Sequence, residues 1–347
     1  MSSSSGPVVA YLGWHARGNL GDDAIYDVVR AQLAGATFVD QPVLPRERFS
    51  ALVTGRTRSI RQGTQVVGGG TLIGTRYFRR LVRRGLKLTR GGGSYAIGAG
   101  VEDPVFTRRV NQSGPDELRR WVPLLSQFRT VSVRGPRSAE LLADAGFDAR
   151  VSGDPALLLP VPDVATEDGL IGINLGFGDD DLWGQDPAAV AEEMRTAVQH
   201  LATRGHRFVG ILMNAADERW TSIALRDVAA PIVHPPDAYS AAQQLARCSL
   251  TIVSRLHAGI LAAVSATPTI ALEYLPKCRD FALSIDDERS LLRTDKITGT
   301  ALIDKATDTL DDAAAIRTRT ATAVSRLQQH LRTEYTDLRS HIGLRPA

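Results

Sequence analysis

Cysteine is nearly absent from this sequence: Cys248 and Cys278 are the only two in 347 residues, and neither sits in a C-x-x-C or metal-finger spacing. That excludes a disulfide-stapled secreted scaffold, and each thiol reads as a buried one in a reducing compartment. Long apolar runs are missing too. No stretch approaches the roughly 18 apolar residues of a membrane span, so no transmembrane helix is expected. The Ser-rich start from Met1 to Pro7 has no basic segment leading into an apolar one; it reads as a loose tail, not a secretory signal. A cytoplasmic enzyme, with the inner face of the membrane as a candidate location, is the default. Several diagnostic strings are also lacking. There is no G-x-S-x-G elbow, no Walker G-x-x-x-x-G-K-[ST], no H-E-x-x-H, and the first glycine-rich turn does not follow G-x-G-x-x-G. No metal site is indicated, and no zinc-finger or aromatic RNA-binding signature argues for a nucleic-acid partner.

Net charge is small, at +3, but its distribution is uneven. Arg76, Arg79, Arg80, Arg83, Arg84, Lys87 and Arg90 fall within fifteen residues, interleaved with Leu81, Leu86 and Leu88. Such a helix is amphipathic. A solvated basic face is the simpler reading; peripheral attraction to an anionic membrane surface, or to a polyanionic acceptor, is the functional one.

What is present is a globular composition, 43% hydrophobic and 23% charged, in a chain long enough for two domains. Short β-branched runs alternate with amphipathic stretches, the signature of parallel α/β architecture. Strands are expected at 8–12, 36–39, 65–67, 94–97, 130–133 and 149–151, with helices at 22–34, 77–88, 115–128 and 137–145 between them. A Pro- and Asp-rich stretch, Pro160 to Asp168, reads as the linker. A second series follows, with strands at 170–175, 207–212, 232–233, 250–253 and 269–272 and helices at 187–203, 238–246, 258–265 and 277–284. The pattern predicts one Rossmann-like domain over 8–160 and another over 169–310. The polar helical segment in 311–347 is expected to lie on the surface of both lobes. Ligands of open α/β sheets bind beyond the carboxyl ends of the strands, so the active cleft is expected between the lobes.

The motifs that could carry chemistry do follow strands. The run Gly18-Asn19-Leu20-Gly21-Asp22-Asp23 reads equally as a helix cap centred on Asp22 or as part of a site. Gly68-Gly69-Gly70-Thr71 and Gly98-Ala99-Gly100 end two further strands, and their free N–H groups can form an anion nest. Arg134, delivered by the strand ending at Val133, can grip a carboxylate in a two-pronged fork. Asp154, in Ser152-Gly153-Asp154-Pro155-Ala156, reads as a helix cap rather than a base. In Ser254-Arg255-Leu256-His257-Ala258-Gly259 an apolar strand gives way to a small-residue helix, which places His257 at a helix N-terminus with Arg255 just before it. Glu273-Tyr274-Leu275-Pro276-Lys277 adds a cation at the next strand end. Arg, His and Lys so placed make an anion-handling acid–base site.

Taken in order, these strings resemble the polysaccharide pyruvyl transferase family. The match rests on Gly18 to Asp23, Gly68 to Thr71, Val133-Arg134 with Ser138, Gly153 to Ala156, Ser254 to His257 and Tyr274 to Lys277, so it runs from residue 8 to about 285. The resemblance implies a GT-B-like fold of two Rossmann-like lobes. It implies transfer of the pyruvyl group of phosphoenolpyruvate to two hydroxyls of a sugar in a cell-surface glycan, forming a cyclic ketal and releasing phosphate without a cofactor. It further implies His257 as general acid and Arg134 on the donor, with Lys277 also engaged. Arg255, Asn19, Asp22, Asp23, Gly69 and Gly70 join the expected substrate-binding set. The sequence departs from the family pattern at Gly135, where an Asp is frequent, and at Asp23, where Glu is common. A nucleotide-sugar glycosyltransferase or a non-catalytic glycan-binding protein of the same fold are the alternatives, and the acceptor is a free or lipid-linked sugar.

Overall fold

The computed structural model describes residues 6–89, 92–106, 115–179 and 181–345; residues 1–5 of the Ser-rich start and Arg90 of the basic run lie outside them. The chain divides into two compact units. The first comprises the residues up to His15, Ile25–Pro155 and the chain from Leu327 onward; the second comprises Ala16–Ala24 and Ala156–Arg326. The step to the second unit falls at Pro155, ahead of the Pro160–Asp168 stretch. Pro155 stays with the first unit because its ring lies where side chains at Gly69 and Gly98 would otherwise be.

In the first unit, β1 (Val8–Leu12) leads into α1 (Leu20–Gln32), β2 (Thr37–Asp40), α2 (Pro45–Val53), α3 (Arg56–Arg61), β3 (Thr64–Val67), β4 (Thr71–Ile73) and α4 (Arg76–Thr89). β5 (Ser94–Val101), α5 (Pro115–Leu125), β6 (Thr130–Val133), α6 (Pro136–Asp144) and β7 (Arg150–Val151) complete it. The strands pair in parallel in the order β2-β1-β3-β5-β6-β7, with β4 on β5. Helices cover a parallel sheet on both faces, so strands such as β3 and β5 are buried throughout. Leu12, Val67, Ala96, Val133, Trp121 and Leu142 form the centre of this core.

The second unit repeats the plan with β8 (Glu167–Asn174), α7 (Pro187–Thr203), β9 (Arg207–Ile211), α8 (Glu218–Leu225), β10 (Ile232–Val233), α9 (Ala238–Ala246) and β11 (Cys248–Val253). Next come α10 (Leu256–Val264), β12 (Thr269–Glu273), α11 (Pro276–Ser284), β13 (Leu291–Arg293), α12 (Gly299–Asp311) and α13 (Ala313–His341). Its parallel order is β10-β9-β8-β11-β12-β13. This is the doubly wound order in which the chain reverses direction between the first and fourth strands of the unit, here β8 and β11.

Residues 311–347 are not a unit of their own. The division at Arg326 and Leu327 cuts α13, whose later part belongs to the first unit. Leu327, Leu331, Tyr335 and Leu338 bury one stripe of it there, and Glu334 accepts a hydrogen bond from Ser132 Oγ at 2.6 Å. Patterning misses the helices α2, α3, α8 and α12 and the strands β4 and β13. β4 and β13 have three residues each, and within α3 only Ile60 is buried, too little to display a helical period.

Candidate active site

The switch point of the second sheet brings the ends of β8 and β11 together. Beyond β8 the chain runs Leu175-Gly176-Phe177-Gly178; beyond β11 it runs Ser254-Arg255. Ser254 Oγ donates to Gly176 O at 2.7 Å and accepts from Gly176 N at 2.8 Å, which fastens the two loops. Asn174 donates through Nδ2 to Ile211 O at 2.9 Å and Asp217 Oδ2 at 3.1 Å, and its Oδ1 accepts from Arg255 N at 3.2 Å. Asp217 is wholly buried and receives Arg255 Nε at 2.8 Å and Nη2 at 2.6 Å. Burial by itself would lower the Arg255 pKa, but Asp217 and Tyr274 outweigh it and raise it. Arg255 is thus a permanent cation neutralised by a buried carboxylate, and it props the loop that carries His257.

His257 is the second residue of α10 and is 8% exposed. Gly21 of α1 lies directly on its imidazole; a side chain there would overlap Nδ1, Cγ and Cβ of the histidine. The segment bearing Gly21 is pinned within the second unit by Leu20 N to Met213 O at 3.0 Å and Asn214 Nδ2 to Gly18 O at 2.7 Å. Because α1 begins at Leu20, the cap is Asn19 and not Asp22: Asn19 Oδ1 accepts from Gly21 N at 3.1 Å. Asn19 Nδ2 holds Asp22 Oδ2 at 2.6 Å, and Asp23 Oδ1 accepts from Ala16 N at 2.6 Å. These two carboxylates occupy the first turn of α1, where the helix dipole favours negative charge. Asn19, Asp22, Asp23 and His257 therefore belong to one neighbourhood.

β12 delivers the next strand end. Tyr274 is buried, and Lys277, partly exposed in the first turn of α11, holds its Nζ 4.9 Å from the Tyr274 ring centre. Glu273 does not compete for that lysine, since Arg279 grips it at 3.0 and 2.7 Å. The N-cap residues of α10 and α11, Arg255 and Leu275, make no side-chain cap hydrogen bond. Two helix N-termini with a histidine and a lysine in their first turns thus follow adjacent strands, a setting suited to an anion that must also receive a proton. Beyond β9, Asp179, Ala215, Ala216, Glu218, Arg219, Trp220 and Ser222 line an open pocket of about 670 Å³, with the Arg219 guanidinium 4.1 Å from the Trp220 ring centre. The enclosed cavity behind Ser254 and Cys278 is only about 30 Å³, room for a water but not a sugar.

The remaining expected residues lie in the first unit. Arg134 is wholly buried, its Nη1 3.8 Å from the buried Asp154 and its Nη2 donating to Thr71 Oγ1 at 3.3 Å. Gly100 leaves the space that its guanidinium fills. Gly68 and Gly69 are likewise closely covered, by the Tyr11 hydroxyl and by Ile25 with Pro155, and Gly70 takes a φ of +87° to start β4. Gly68, Gly69 and Gly100 are closely packed, and such glycines read in sequence just as an anion nest does. Asn174 and Asp217 escaped the sequence reading. Asn174 had a signal, the glycine-rich strand end that it opens; Asp217, in the single 3-10 turn that leads into α8, had none.

Among the described residues no group of three His, Cys, Asp or Glu side chains is placed to hold a metal ion, and no helix is long and apolar enough to cross a membrane. A family model described as polysaccharide pyruvyl transferase matches residues 19–276. No curated protein matches the chain. Solved structures do. A putative UDP-N-acetylglucosamine 2-epimerase from Listeria monocytogenes superposes with a TM-score of 0.62 at 13% identity, covering 97% of this chain and 96% of that one. MnaA of S. aureus with UDP gives 0.63 at 10% identity, covering 98% of both. A UDP-glucosyltransferase from Polygonum tinctorium gives 0.57 at 11% identity, covering 99% of this chain and 100% of that one. Likeness at such identity speaks for the fold alone: two parallel-sheet α/β domains of the GT-B type.

Proposed function

The chain belongs to the polysaccharide pyruvyl transferase family, and from that premise we propose that it moves the pyruvyl group of phosphoenolpyruvate onto two hydroxyls of a glycan sugar as a cyclic ketal. The observation that carries this reading is the contact of Gly21 with the His257 imidazole, which joins two distant motifs beside the N-termini of α10 and α11. Phosphoenolpyruvate brings a phosphate and a carboxylate to such a place. The N–H groups of the two helix ends and the Lys277 ammonium balance those charges. Protonated His257 donates its proton to C3 of the enol, leaving C2 electrophilic. One sugar hydroxyl adds at C2, and Asp22 or Asp23 takes its proton. The C2–O bond to phosphate breaks as that carboxylic acid passes its proton to the departing phosphate, and the second hydroxyl closes the ketal by giving its own proton to the now neutral His257 imidazole. The pocket beyond β9 has the volume a sugar acceptor needs. In this scheme Arg255 holds the histidine loop through Asp217, and Arg134 shapes its own strand end through Thr71 and Asp154.

His257→Ala tests the reading. Acceptor-dependent phosphate release is expected to disappear while the circular-dichroism melt stays unchanged; near-normal turnover would sink the acid assignment. A nucleotide-sugar enzyme is the second reading, favoured by the likeness in fold to a UDP-bound structure. Thermal shift separates the two: phosphoenolpyruvate is expected to raise the melting temperature and UDP to leave it unmoved.

A further inference from the structure

We propose that the α2–α3–α4 face of the first unit docks on an anionic lipid bilayer, with Phe49, Leu52 and Val53 entering the headgroup region and the arginines of α3 and α4 lying against the phosphates. Phe49, Leu52 and Val53 are 72%, 63% and 72% exposed. Their spacing of three and one places them on one stripe of α2, and Ala51 alone of the helix's apolar side chains is turned into the core. α2 packs on α3 and α3 on α4, and Tyr77 Oη donates to Val43 O at 2.7 Å, tying the start of α4 to the entry of α2.

Along this stretch of chain the charge is almost all of one sign. From Pro42 to Arg90 the sequence holds twelve Lys and Arg against a single acid, Glu47, although the whole chain is only +3. Glu47 does not offset them at the surface, because its carboxylate turns back onto the N–H groups of Val43 and Leu44 at 2.9 Å each. Glu117 of α5 binds Arg79, whereas Arg56, Arg58, Arg61, Arg76, Arg80, Arg83 and Lys87 are exposed.

A solvated basic face accounts for the arginines but not for three bare apolar side chains in their midst. A second copy is opposed by like charge on like charge. A soluble polyanion matches the arginines and leaves the apolar stripe without a function. A bilayer containing anionic lipid satisfies both, through apolar insertion and phosphate attraction. This inference does not depend on the reaction proposed above; it places the enzyme where a lipid-linked acceptor is presented.

The test is co-sedimentation of the full chain with vesicles of phosphatidylglycerol and phosphatidylcholine in equal parts, with pure phosphatidylcholine vesicles and heparin beside them. Binding to the anionic vesicles is expected, weakening with salt. Phe49→Ser with Leu52→Ser and Val53→Ser should cut it by about tenfold without changing the melt or heparin binding. Arg80→Ala with Arg83→Ala should cut it roughly 25-fold, at about fivefold per charge removed. No binding to anionic vesicles, or binding that the apolar variant leaves intact, overturns the proposal. So does a dimer by light scattering that the apolar variant dissociates. Phosphate release with a soluble acceptor is expected to be unaffected by both variants.

Discussion

A methyl group at Gly21 has nowhere to go except into the His257 ring. Alanine suits the helix better than glycine by about 1 kcal/mol, and overpacking costs about 1–3, so Gly21→Ala is expected to stay folded. Displacing the imidazole should still lower kcat for phosphate release by about a hundredfold, measured beside an unchanged circular-dichroism spectrum. Asp217 makes the opposite kind of prediction. Replacing it with alanine leaves the Arg255 charge without its buried partner and is expected to cost roughly 3–5 kcal/mol in urea unfolding. Arg134 distinguishes binding from shape. If it shapes the strand end, Arg134→Lys lowers stability but leaves the KM for phosphoenolpyruvate unchanged; a KM raised with stability intact would return it to the donor. The positions of Arg255, His257 and Lys277 beyond strand ends were legible, because each lies within four residues of a largely apolar strand. That Arg255 is already paired was not, since Asp217 sits 38 positions away at the start of α8, a helix that no signal marked.

Among the elements, α13 carries the clearest electrostatic signature. Burial pushes the Glu334 carboxyl above its ordinary pKa, with Ser132 and Ser152 partly offsetting the rise. Between the ordinary value and the raised one, the folded state keeps a proton that the unfolded chain has lost. Stability therefore falls as pH rises through that window. Glu334→Gln keeps an acceptor for Ser132 and removes the titration, so its melting temperature is expected to exceed the parent's at neutral pH and to converge with it in acid. A gain that persists equally at low pH would refute the assignment. Patterning placed α7 and α9 at their observed bounds but gave no helix at α12, which has thirteen residues. It failed also at α2 and α3, which bury one apolar side chain each, and α2 shows outward what a helix normally hides.

At the scale of the whole molecule, both thiols lie inside the second unit. Burial pushes Cys278 up to about 11 and Cys248 up to about 12, so neither forms thiolate at mildly alkaline pH. The native protein is expected to resist a thiol reagent there, and both cysteines should react together at the unfolding midpoint; labelling of the native fold would disprove their burial. The alternation of strand and helix, and with it two parallel α/β units, was determined by sequence alone. A strand covered on both faces has to be apolar throughout, and that demand is local. The sequence also determined which residues stand at strand ends. Only the tertiary structure decided which of those ends meet. Strand order β8-β11 brings Asn174 to Ser254, and the pinning of Gly18 and Leu20 carries α1's first turn to His257, more than two hundred positions away. Glycines that release a backbone for a ligand and glycines that admit a tyrosine look alike in sequence, because the atom that fills the space comes from another part of the chain.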